Sequence, residues 1–141
     1  MPKEGGATKE ICSGSEVAAH PDGRTLVVVE YENTKAHLFR VPLDGSARRE
    51  IALASSYYLN TGFPLSPGTI RADDRMLVSL LRVDSWFNPI GLLDLTTGRV
   101  VREWTDSQND FHTAAWAPDG KIVALRMGLR GAIWKFSPLG N

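Results

Sequence analysis

The stretch WAPDGKIVALR at 116–126 decides the fold, because it is not unique in the chain. AHPDGRTLVVV at 19–29 and RADDRMLVSLL at 71–81 have the same form, a tight turn followed by a short apolar strand. Self-similarity at a period of 20 to 50 residues takes precedence over any single element. From Asp22 to Asp73 is 51 residues and from Asp73 to Asp119 is 46. The Pro-Asp-Gly turn suits a hairpin: Pro presets φ, Asp bonds the backbone ahead of it, and Gly accepts positive φ. In the middle copy Asp74 stands where the others carry Gly, a position Asp tolerates better than most residues.

Working outward, a second marker follows each of these strands. FRVPLDG at 39–45 corresponds to LLDLTTG at 92–98 and to WKFSPLG at 134–140, and ARREIA at 47–52 resembles GRVVREW at 98–104 and ATKEIC at 7–12. No helical stripe longer than two turns interrupts these short strands, so each unit reads as an up-and-down meander of four strands, A to D. In the first unit these are Glu16 to Ala19, Thr25 to Glu30, Ala36 to Val41 and Arg48 to Leu53. In the second they are Ser66 to Arg71, Arg75 to Arg82, Ile90 to Leu95 and Arg99 to Trp104. The third has Phe111 to Trp116, Lys121 to Met127 and Ala132 to Phe136, with no strand D. The division is therefore an orphan strand D at 7–12, a first blade at 13–54, a second at 55–104 and a third, incomplete one at 105–141.

WAPDGKIVALR with the following GAIWKF, and AHPDGRTLVVV with AHLFRVPLDG, resemble the blades of TolB-type and WD-repeat β-propellers. The resemblance runs from about Ala7 to Gly140 and implies an all-β propeller of four-stranded antiparallel blades. No Gly-His opens a unit and no Trp-Asp ends strand C, which favours the looser TolB type. A chain of 141 residues holds about three such blades, whereas propellers close with 4 to 8. The orphan strand at 7–12 and the missing last strand suggest strand exchange between two copies, closing six blades as a homodimer. A piece of a longer propeller, natural or engineered, is the other reading.

Composition narrows the function. Sixteen Lys and Arg balance sixteen Asp and Glu, which gives no general attraction to nucleic acid or to an anionic membrane. Neither a signal peptide nor a membrane-spanning run is visible, so the default expectation is cytoplasmic, with periplasmic or extracellular placement compatible. Cys12 is the single cysteine and cannot make an internal disulfide. No nucleophile elbow, phosphate loop, H-E-x-x-H or C-x-x-C occurs, and His20, His37 and His112 have no metal-ligand spacing. No catalytic residue, metal or cofactor is expected.

The loops give the better lead. In such meanders the D-to-A and B-to-C connections emerge at one end, and here they are long and aromatic. They carry Tyr57, Tyr58, Phe63, Trp86, Phe87, Asp106, Asp110, His112 and Arg130, the composition of a recognition surface. Trp104, Trp116 and Trp134 fall within strands and read as core between blades. The expected function is a non-enzymatic binding or scaffold module for a protein, peptide or small polar ligand. The alternative is an accessory or hydrolase- or lyase-type enzyme whose groups, Asp110 and His112 among them, meet at a central channel across chains.

Overall fold

In a computed structural model, which describes residues 9–33, 35–54, 57–60 and 62–128, the protein is all-β, with no helix among the described residues. Two four-stranded antiparallel sheets and a hairpin account for every strand described. The first sheet is a meander of β1 (Glu16–Ala19), β2 (Thr25–Glu32), β3 (Lys35–Pro42) and β4 (Arg49–Ile51). The second is β5 (Tyr58–Leu59), β6 (Arg75–Leu81), β7 (Ile90–Asp94) and β8 (Arg99–Trp104), and β9 (Asn109–Trp116) pairs with β10 (Ile122–Gly128). These positions follow the apolar alternation of the sequence. The strand expected at 132–136, with Trp134, lies outside the described residues.

The second sheet departs from expectation at its first strand. In place of a strand over Ser66 to Arg71, the free edge of β6 is covered by two separate pieces. Tyr58 and Leu59 pair with Leu81 and Leu80, and Ile70 bridges to Met76. Pro64 and Pro67, which cannot donate to a ladder, and Gly68 at φ 76° take residues 62–68 out of the sheet between them.

A second departure is a single residue with large consequences. The first hairpin closes with His20 N–H donating to Thr25 O, whereas the other two close one residue sooner, Arg71 to Arg75 and Ala117 to Lys121. The carboxylate of Asp22 supports the longer turn by accepting from the backbone N–H of both Arg24 and Thr25. Aligned by the turn Asp, as the sequence spacing suggests, Val27 would answer Val78. Counted from the closing residue it answers Leu77 and Val123. Because side chains alternate, this one-residue difference assigns β2 to the opposite faces.

The resulting core has two layers. Val27, Val29 and Leu38 of the first sheet pack with Met76, Val78, Leu80 and Leu93 of the second. The other face of the second sheet, with Leu77 and Ile90, packs against Ala114, Trp116, Ile122 and Ala124 of the hairpin, and Trp104 joins that layer. Trp104 and Trp116 thus sit between sheets, as their strand positions predict. The second sheet is buried on both faces, which is why β6 reads as a nearly continuous apolar run. Residues 9–14 pair with no strand among the described residues and lie beside Val17, Leu26 and Val28 on the outer side of the first sheet. Gly14 is pressed so closely on Val28 that an added Cβ would stand 2.3 Å from its Cγ1.

Candidate functional site

The long connections at one end of the sheets separate into two groups with different jobs. The β6–β7 connection, 82–89, is tied down at several points. The Arg82 guanidinium grips Asp84 through two bonds, Nε to Oδ1 at 2.9 Å and Nη2 to Oδ2 at 2.8 Å, and a third nitrogen reaches Glu103 Oε1 at 3.4 Å. That fork holds the Asp84 carboxyl below its ordinary range and the guanidinium above its own. Tyr57 joins from the neighbouring segment: its hydroxyl hydrogen-bonds Glu103, which raises the phenol's pKa. Farther along, Ser85 Oγ accepts from Phe87 N–H at 3.0 Å.

The end of this connection is fixed to β9. Asp110 is buried, and its Oδ1 accepts the Asn88 N–H at 2.7 Å, while Phe111 N–H donates to Asn88 O at 3.1 Å. Asp110 therefore anchors a loop, an occupation that consumes one carboxylate oxygen. What the anchored loop presents is apolar: Trp86 is 92% exposed and Val83 is 89% exposed. A fully exposed Trp on a braced loop is unusual, since its large ring gains most from burial. Tyr58, exposed on β5, pairs in register with Leu81 just before the loop.

Beside Trp86 runs a shallow groove of about 280 Å³ lined by Arg82, Ser85, Phe87, Thr105, Asp106 and Ser107. Asp106 closes its own turn, accepting from Gln108 N–H at 2.9 Å and from the Asn109 side-chain amide at 2.8 Å. Those donated bonds hold its carboxyl below the usual range. The groove thus has a polar floor whose charges are already paired, with an aromatic wall.

Phe63 and His112 form the second group. Their rings stack at 3.8 Å with 16° between planes. The nearby Glu16 accepts the Leu65 N–H at 2.7 Å through Oε2 and the Tyr31 hydroxyl through Oε1. Burial first, and the Glu16 carboxylate second, push the Tyr31 phenol well above its ordinary pKa. The space left among these side chains is about 20 Å³, the size of one water molecule. This is a filled joint between the sheets.

The sequence-predicted residues therefore divide. Phe87 and Asp106 line the groove, Trp86 stands exposed on the same loop beside it, Tyr57 and Tyr58 lie on the adjoining segment, and Asp110 anchors the loop's end. Phe63 and His112 belong to the inner joint, and Arg130 lies outside the described residues. Sequence reasoning missed Arg82, the hub of the bracing network. Its signal was an Arg two residues before an Asp at the mouth of a loop.

The opposite end holds a polar cluster that the sequence reading treated as plain turns. The His20 ring is buried, with Nδ1 accepting the Asp22 N–H at 3.1 Å and Nε2 lying 3.1 Å from Asp74 Oδ1, off the line of a hydrogen bond. Arg40 Nη2 donates to the same Asp74 oxygen at 2.7 Å. These four side chains clasp the first sheet to the second. Among the described residues no group of three or more His, Cys, Asp and Glu side chains is arranged to hold a metal ion, nor is any helix long and apolar enough to cross a membrane.

Comparison with protein-family models, with curated proteins and with solved structures finds no match to this chain. Function is therefore argued from the site.

Proposed function

We propose that the protein is a run of propeller-type blades acting as a non-enzymatic binding module, and that the loop bearing Trp86 is its recognition surface for a protein or peptide. The observation that carries this is the pairing of full exposure with full bracing at Trp86. Interfaces draw most of their energy from a few Trp, Tyr and Arg side chains, and a loop already held in one shape loses little conformational entropy on binding. Trp86 stands on such a loop, with Phe87 and the paired polar groove beside it to supply a rim. Arg82, Asp84 and Asp110 are all engaged within the loop's own framework, so they serve its shape. The successive four-stranded meanders, stacked face to face with tight turns at one end and long loops at the other, support the blade reading.

The test is a selection from a displayed random-peptide library on the wild-type protein, repeated on Trp86→Ala. The expected result is an enriched peptide class whose affinity drops at least tenfold in the variant, with unchanged far-ultraviolet circular dichroism. Enriched peptides that bind both proteins equally, or no enrichment at all, would overturn the assignment of this loop.

A further inference from the structure

The way the sheets stack inside one chain dictates what its two outer faces can accept. Counted from the residue that closes each hairpin, the first position of the second strand (Leu26, Met76, Ile122) points one way, and the second position (Val27, Leu77, Val123) points the other. Val27 and Val29 pack onto Met76 and Val78; Leu77 in turn packs toward Ile122 and Ala124. Both junctions are thus of one kind, head to tail, with the second-position face of one sheet on the first-position face of the next.

That pattern leaves one face of each type without a neighbouring sheet among the described residues. At one end, Val123, Leu125 and Met127 are 62%, 59% and 43% exposed. These alternate positions carry no charge. At the other end stand Val17 and Leu26, across an open groove of about 320 Å³ bounded by residues 9–14, where Gly14 already covers Val28. Val17 is 57% exposed and Ile11, on the far wall, is 52% exposed. The two outer faces are complementary in the sense already realised twice within the chain.

We propose that the β10 face of one copy, Val123, Leu125 and Met127, docks on the Val17 and Leu26 face of a second copy, and that two such junctions close a symmetric pair. This rests on the blade reading above. A head-to-tail contact makes a ring if its rotation closes and a filament if it does not. Two meanders and a hairpin from each of two copies make six layers, inside the range at which propellers close. Burial of both apolar faces drives the association.

Light scattering tests this directly. The wild type is expected at twice its 15.5 kDa chain mass, and Leu125→Lys and Val17→Glu, at exposed positions, are each expected at half the wild-type mass with unchanged circular dichroism. Mixing the two variants restores the pair, since one junction is then native and the other joins Lys to Glu. A second measurement uses the single native thiol, Cys12, which lines the groove. Leu125→Cys forms disulfide-linked dimers under mild oxidation, and these disappear when Cys12→Ser is added. A monomeric wild type, a filament, a Val17→Glu variant that stays dimeric, or variants that fail to recover on mixing would each overturn the closure. The Trp86 selection needs no second copy, so failure of the closure and failure of the recognition surface are read separately.

Discussion

Leu77 and Val123 occupy the same place in two successive hairpins, two residues beyond the residue that closes the turn, yet Leu77 is 2% exposed and Val123 is 62% exposed. Their chemistry is alike; their neighbours differ. Leu77 has the β9–β10 hairpin laid over it, whereas no sheet among the described residues covers Val123. Burial here is a property of the position in the stack, and the residue type records what each position is built to meet. The largest expected effect follows. Leu77→Ala removes a side chain with packed surroundings and is expected to cost about 2 to 5 kcal/mol of folding stability. Val123→Ala, measured in protein dilute enough to be monomeric, is expected within about 0.5 kcal/mol of wild type. Urea unfolding of both variants decides the matter, and equal losses would break the comparison.

Two further substitutions sharpen it at the joints between layers. Gly98 has φ 69°, and a Cβ there would stand 1.8 Å from the carbonyl oxygen of Ala52, the residue that follows β4. Gly98→Ala combines a left-handed backbone with a clash against backbone, so it must part the turn of the second sheet from the end of the first. A loss of about 2 to 3 kcal/mol is expected, again by urea unfolding. Asp110→Ala leaves the Asn88 N–H without its acceptor and should cost about 1 to 2 kcal/mol. Its effect is local: amide exchange is expected to speed up at Asn88 and across the Trp86 loop while β2 and β3 stay protected. Uniform acceleration throughout the chain would show that Asp110 supports the fold as a whole instead of the loop.

Much of this architecture was legible in the sequence, and the misses have physical reasons. Strands such as Glu16–Ala19 and Arg99–Trp104 were readable because tight turns and alternating side chains both mark them. The broken edge strand of the second sheet is marked by Pro64 and Pro67, a signal masked by the likeness of RADDRMLVSLL to the other two hairpins. The face assignment of β2 was not readable from spacing, because an Asp-Gly turn of either length looks the same until the closing hydrogen bond is seen. At the candidate site, aromatic composition points to the loop, where Phe87 and Asp106 line one groove and Trp86 stands exposed beside it. Composition could not separate Trp86, held outward by Arg82 and Asp110, from Phe63 and His112, folded inward on each other. That distinction is made by contacts far apart in sequence, such as Asn88 with Asp110.

The smallest expected effect concerns the turn ends, where the same contrast between inner and outer positions recurs. Among the described residues Asp119 of the third hairpin pairs only locally, with the Lys121 ammonium at 2.7 Å. Asp22 of the first hairpin belongs to the clasp that includes His20, Arg40 and Asp74. Its carboxyl is held down to about 2, from an ordinary 3.8, chiefly by the bond from Arg24 N–H, then by the Thr25 hydroxyl and the neighbouring His20. A folded-state pKa below the unfolded one means that the contribution to stability is complete above the unfolded value and is lost as pH falls through the folded one. The window is therefore from about pH 4 down to about pH 2. In Asp22→Asn the side-chain oxygen still accepts backbone N–H groups but no longer titrates. The difference in Tm between wild type and variant is expected to be constant above pH 5 and to shrink toward zero by pH 2. Asp44, Asp84, Asp94, Asp106 and Asp119 are lowered in the same sense, so both proteins lose stability in acid, and only the difference isolates Asp22. A difference that stays flat down to pH 2 would mean that the carboxylate charge contributes nothing to the clasp, and that the turn is held by hydrogen-bond geometry alone.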